Sequence, residues 1–138
     1  MQDVNRKFWQ RILGIPQTGM PTDPGCWTME DGKVVINLAR APELKEAGGA
    51  LRLEGPPLPG RYLVVKGADG SYHAFENRCT HLGHRRLDPL PGGEGVQCCS
   101  VNKSTYNLSG EKLKGPAPRD VKSFPVSVEG EKLVVHVS

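Results

Sequence analysis

Apolar residues in this chain fall in short runs divided by turn formers, and the runs follow a period of two more than a helical stripe. Residues 34–38 are the first compact apolar stretch, and residues 51–53, 62–65 and 72–75 follow as predicted strands. Ala68-Asp69-Gly70-Ser71 supplies the turn between the last two. Further on, residues 121–128 and 132–137 flank Glu129-Gly130-Glu131, a hairpin signal with glycine in the turn. Within it Val126, Val128, Leu133, Val135 and Val137 alternate with Ser127, Val134 and His136, the pattern of half-buried antiparallel strands. Residues 42–47 predict one helical turn opened by Pro42. Short strands at this spacing predict an all-β fold, an antiparallel sandwich or barrel.

The N-terminal segment reads differently. Phe8, Trp9, Ile12 and Leu13 predict a short amphipathic helix within residues 4–13 that docks on the domain, or else on a membrane surface or a partner helix. Residues 16–25, rich in proline and glycine, read as a linker or wrapping loop. The expected organisation is a helix and linker over residues 1–33 followed by one domain over residues 34–138. Seventeen Gly and twelve Pro in 138 residues imply many turns, and 37% hydrophobic with 24% charged residues is the balance of a folded chain. The net charge of +3 resides in residues 61–138 and is too small to argue for nucleic acid. No run approaches the ~18 apolar residues of a membrane span, and no apolar signal core is present, so the expectation is a cytoplasmic protein without a span.

Four cysteines at positions 26, 79, 98 and 99 suit metal binding in a reducing compartment better than a disulfide scaffold. Cys79 and His81 are two apart, so on an extended or turning backbone both reach one site. Cys98 and Cys99 are neighbours and face opposite ways; Cys98 is expected in the core and Cys26 to be structural. His73 and His136 lie in predicted strands and are expected as surface or packed residues. Pro91-Gly92-Gly93-Glu94-Gly95 lacks the Lys-Ser or Lys-Thr of a phosphate loop, and no Ser or Cys has a base in a hydrolytic motif.

Around these residues the chain resembles the Rieske [2Fe–2S] family, in which two cysteines hold one iron and two histidines the other. Cys79-Thr80-His81-Leu82-Gly83 looks like the first ligand box, and 17 residues separate His81 from Cys99. Val96-Gln97-Cys98 resembles the strand into the second box, Ser104-Thr105-Tyr106-Asn107 its continuation, and Gly115-Pro116-Ala117-Pro118 the loop that covers the cluster. The likeness extends from about residue 34 onward. It implies a Rieske-like antiparallel β-sandwich or barrel with an inserted two-loop cluster-binding subdomain at about residues 77–118. It also implies a [2Fe–2S] cofactor and electron transfer to a partner oxidoreductase, with no catalysis by this chain alone.

Aligning Tyr106 with the family's aromatic puts Cys99 in the cysteine position and Asn102 where the second histidine belongs, with Ser100 replacing a proline and Lys103 a glycine. An amide oxygen is a harder and weaker donor to iron than imidazole. Three alternatives follow: Asn102 or a water it holds completes the site with Cys79, His81 and Cys99; His84 substitutes; or the domain is a clusterless binding module, its cysteines bridged or on zinc. The respiratory members' disulfide positions are His84 and Val101 here, so the likeness is to the soluble ferredoxin type. An oxygenase role lacks the two further histidines and carboxylate of a mononuclear iron site. Arg78, Arg85, Arg86 and Lys103 flank the boxes against Asp88 and Glu94, either as a solvated rim or as a collar steering an acidic redox partner.

Overall fold

A computed structural model describes residues 18–78, 86–99, 103–115 and 119–137. Among the described residues twelve strands occur, in chain order β1 (Trp27–Glu30), β2 (Lys33–Asn37), β3 (Ala50–Leu53), β4 (Tyr62–Lys66), β5 (Tyr72–Glu76) and β6 (Leu87–Pro89), then β7 (Gly95–Cys98), β8 (Thr105–Asn107), β9 (Lys112–Lys114), β10 (Ser123–Phe124), β11 (Val126–Glu129) and β12 (Lys132–His136). They form three antiparallel four-stranded sheets, ordered β1-β2-β12-β11, β10-β5-β4-β3 and β6-β7-β8-β9. The all-β expectation is met, and the helical turn expected near residues 42–47 is a short 3-10 turn at Pro42–Leu44.

The β10-β5-β4-β3 sheet is the middle layer. On one side Leu51, Leu53, Tyr62, Val64 and Ala74 pack against Val34, Ile36, Leu133 and Val135. On the other, Leu63, Val65 and Phe75 pack against Leu87, Val96, Cys98 and Tyr106. Strand β4 therefore reads Tyr-Leu-Val-Val, four buried residues in a row, because neither of its faces meets water. Cys26 and Cys98 are buried in the two cores, as expected of them.

The two base sheets are continuous through one strand. Pro125 separates β10 from β11, has no N–H to donate, and accepts from His136 N through its carbonyl at 2.9 Å. The whole β6-β7-β8-β9 sheet is inserted between β5 and β10, which are themselves paired neighbours. At that point Glu76 N donates to Lys122 O at 2.8 Å, so the chain departs and returns side by side.

Two details depart from the sequence reading. Residues 27–30, read as linker, form edge strand β1, paired with β2 through Asp31-Gly32. Both turn residues have positive φ, 45° and 76°, the geometry that favours Asp-Gly in a two-residue hairpin. Val128, expected half-buried, is 54% exposed, because it sits near the end of edge strand β11, and the core lies under its partner residues on β12. The helix expected over residues 4–13 lies outside the described residues. Leu63→Ala, which opens a void in the second core, is expected to cost ~2–5 kcal/mol in urea unfolding. Val128→Ala is expected to stay within about 0.5 kcal/mol of the parent.

Candidate metal centre

Strand β6 runs antiparallel to β7 with Leu87 opposite Cys98, and Cys99 N donates to Arg86 O at 2.9 Å one step beyond. Chain emerging from residues 79–85 and chain leaving Cys99 therefore meet at one end of the sheet. Strand β8 begins at that end, where Cys98 N donates to Ser104 O at 2.8 Å. Strand β9 also finishes there, with Lys114 opposite Thr105. Gly115 (φ +98°) follows so close to Ser104 that an added Cβ would lie 2.5 Å from its Cα. Three segments, 79–85, 100–102 and 116–118, are thus flanked by residues gathered at a single sheet edge.

The opposite end is pinned to the base. Gly92 and Gly93 turn the β6–β7 connection at φ +76° and +77°. Gly93 O accepts from Ala68 N at 2.9 Å, and a Cβ on Gly93 would strike Lys66 O at 2.7 Å. The second loop's stem is locked by a polar relay in which buried Gln97 Nε2 donates to Thr105 Oγ1 at 3.0 Å and that hydroxyl donates to Lys103 O at 2.8 Å. Lys103 reverses the chain at φ +51°, a conformation that glycine adopts at lower cost.

Asn77, which sequence reasoning missed, ties the first loop at its base. Its side chain is fully buried; Oδ1 accepts from Leu87 N at 2.8 Å, and its backbone N donates to Arg61 O at 2.9 Å. The amide thus joins the start of the loop to its return, while Nδ2 is buried with no hydrogen-bond partner among the described residues. Its position two residues ahead of Cys79 was the available signal.

Arg86 grips Glu54 with two parallel bonds, Nε to Oε1 at 2.8 Å and Nη2 to Oε2 at 2.7 Å. The guanidinium holds the Glu54 carboxyl below its ordinary 4.5, against a smaller opposing effect of burial. Glu54 in turn raises Arg86, with a smaller contribution from Cys99. Burial lowers the pKa of Arg61, helped by the cations of Arg86 and Arg78. Arg78 itself pairs with Glu76 at 3.2 Å. Two of the expected collar cations are therefore neutralised locally. Asp88, expected on the rim, is instead fully buried and accepts from Thr18 N at 2.8 Å.

Of the predicted ligands, Cys99 is described and 1% exposed. Cys79, His81 and Asn102, with the alternative His84 and the covering residues 116–118, lie outside the described residues. Two thiols, an imidazole and an amide, on segments whose flanks converge at one edge, fit an iron–sulfur centre in donor chemistry. Among the described residues no group of three or more His, Cys, Asp or Glu gathers as a metal site.

Residues 35–125 match the family described as Rieske [2Fe-2S] domain. The ferredoxin component of the naphthalene 1,2-dioxygenase system of Pseudomonas aeruginosa is 26% identical over 85 residues, which are 61% of this chain and 81% of that protein. The cytochrome b6-f complex iron-sulfur subunit of Parasynechococcus marenigrum (strain WH8102) is 36% identical over 85 residues; the match covers 60% of this chain and 44% of that subunit. The chain thus spans less than half of the cytochrome subunit. Among solved structures, the cyanobacterial plasma membrane Rieske protein PetC3 from Synechocystis PCC 6803 superimposes with a TM-score of 0.52 at 28% identity, covering 63% of this chain and 85% of that one. The ferredoxin of carbazole 1,9a-dioxygenase from Nocardioides aromaticivorans IC177 shares the fold with a TM-score of 0.57 at 19% identity, covering 75% and 95%.

Glu54→Gln is expected to destabilise the protein by ~1 kcal/mol at neutral pH, the order for a partly exposed charged pair. A lowered carboxylate pKa stabilises the fold above the ordinary value of 4.5 and loses that contribution as pH falls through the folded-state value. Acid unfolding of the parent should therefore lose this stability below pH 4.5, while the variant's profile is flatter there.

Proposed function

The chain belongs to the Rieske [2Fe–2S] domain family, and we propose that it carries single electrons to or from a partner oxidoreductase through a cluster held between its two ligand loops. The observation that carries this reading is the β6–β7 register, which sends the flanks of both loops from one sheet edge. Cys79 and Cys99 hold one iron; His81 and Asn102 hold the other. Three of these four donors match the family's ligand chemistry, and Asn102 is the departure. The Gly-like backbone of Lys103 supports the alignment that puts Asn102 in the fourth position, because the family carries glycine at that step. When bound, the cluster supplies reversible uptake of one electron.

The protein's own groups set the conditions for that uptake. The cation of Arg86 beside the loop stem attracts negative charge on Cys99. Gly115 packs against Ser104 at the same sheet edge, and by resemblance to the family's covering loop residues 116–118 are assigned the role of shielding the centre from water. The cluster-binding subdomain is assigned to about residues 77–118, a reading supported by the separate sheet that β6 to β9 form. Among the described residues no helix is long and apolar enough to cross a membrane. A cytoplasmic setting rests on the cysteine pattern, which suits a reducing compartment.

The +3 charge of residues 61–138 favours a partner with an acidic docking face. Because Arg78 and Arg86 hold Glu76 and Glu54, the steering field is shallow, and electron-transfer rates should fall only a few-fold as salt rises.

Anaerobic purification should yield a reddish-brown protein with about two irons and two acid-labile sulfides per chain. A colourless chain that takes up no iron on reconstitution overturns the carrier and favours the binding module. With one titrating imidazole, the reduction potential should fall by ~59 mV per pH unit above the His81 pKa of the oxidised form, the one-electron, one-proton value. A two-proton slope counts against Asn102 as ligand. Asn102→His should add the second proton and slow loss of the cluster, both readable by voltammetry and by the decay of visible absorption.

A further inference from the structure

Where the inserted sheet leaves and rejoins the base, the strand ends enclose a cleft of about 430 Å³, within the ~300–1,000 Å³ range of small-molecule sites. One face of it is apolar. Tyr62 and Phe124 stand edge to face with centroids 5.3 Å apart and planes at 75°, beside Pro59 and Val137. Gly60 keeps this face open, since a Cβ there would lie 3.3 Å from the Tyr62 hydroxyl. The other face is cationic, with Arg61, Arg78 and Lys122 set against a single carboxylate, Glu76. Glu76 pairs with Arg78 Nη1 at 3.2 Å, a contact that engages one branch of the guanidinium fork. The Lys122 ammonium lies 5.0 Å from the centre of the Phe124 ring, so the two faces meet at that residue.

The charge on Arg61 is held at a disadvantage. Burial and the cation of Arg86 oppose it, Arg78 adds to them, and Glu54 and Glu76 do not restore the balance. An anion in the cleft would relieve this repulsion. A second hollow of about 440 Å³ shares Glu76, Arg78 and Lys122 and continues past Arg119 and Asp120. Asp120 there already accepts from Lys112 N at 2.8 Å.

We propose that the cleft binds a small aromatic carboxylate, its ring against Phe124 and Pro59 and its carboxylate among Arg61, Arg78 and Lys122. Guanidinium forks match the planar carboxylate, and an aromatic ring covers an apolar wall that a bare oxyanion would leave wet. Such a ligand touches both the departing strand, through Arg78, and the returning one, through Lys122 and Phe124. It therefore fastens the junction that the Glu76 N to Lys122 O bond closes at 2.8 Å. The site goes beyond the electron-carrier reading and does not depend on it.

Benzoate is the probe. Isothermal titration calorimetry on the full chain should show one saturable site in the millimolar range. Arg78→Gln and Lys122→Gln, both at exposed positions, should each weaken it severalfold. Lys132→Gln removes an equal charge at the opposite end of β12 and should leave it unchanged. Benzyl alcohol and inorganic phosphate each carry half of the chemistry and should bind far more weakly. Absence of saturable benzoate binding, equal weakening by Lys132→Gln, or either control ligand binding as tightly as benzoate overturns the assignment. A Glu-rich hexapeptide that binds where benzoate does not also overturns it, in favour of a segment of a partner protein. None of these outcomes bears on the carrier reading, which iron and sulfide content decide separately.

Discussion

Leu87 faces Cys98 across the β6–β7 ladder, and the amide of Cys99 closes onto the carbonyl of Arg86 one step further along. Strand pairing has a period of two, so a slip of one residue would turn Cys98 outward and put Cys99 into the core. The buried row of Leu87, Val96, Cys98 and Tyr106 against Leu63, Val65 and Phe75 prevents that slip. Hydrophobic packing thus chooses which of two adjacent cysteines is presented beyond the strand. The metal chemistry of the molecule is downstream of that choice, because the loop stems are in register only when this side of the sheet is down.

Electrostatics act on the same framework at closer range. Four arginines at 52, 61, 78 and 86 surround the stem of the first loop, and Glu54 and Glu76 answer them. The Arg86–Glu54 pair spans 32 residues of sequence and joins the end of β3 to the return of the first loop. It is a tie between base and insertion as much as a charge pair. Its cation also stands near Cys99, so the group that anchors the loop helps set the charge state of a predicted ligand.

The strands at β2, β4, β5 and β12 were legible because apolar residues there are dense enough to mark period and ends. Trp27 to Glu30 alternates just as cleanly, but its four residues directly follow a proline- and glycine-rich stretch, and the Asp31-Gly32 signal went unused. Asp88 looked like a surface carboxylate because sequence carries no trace of Thr18 N, 70 residues away, which satisfies it in the interior. Glu54 was invisible as a site residue for the same reason. The ligand boxes were recognised through local spacing, whereas Asn77 acts through a bond to Leu87 that exists only once the sheet has formed. Lys103 is the instructive case: its departure from glycine was visible in the sequence, and its positive φ was not.

Because Glu76 and Lys122 are bonded neighbours where the insertion begins and ends, the intervening chain is topologically a detour from a single hairpin. Such a layout is transferable: the detour could be transplanted between hosts through one pair of adjoining strand ends, without rethreading either partner. The transplant would not be free of obligations. Leu63, Val65 and Phe75 belong to the host yet are roofed only by the guest, so an exchange succeeds when the recipient sheet offers an apolar underside of matching shape.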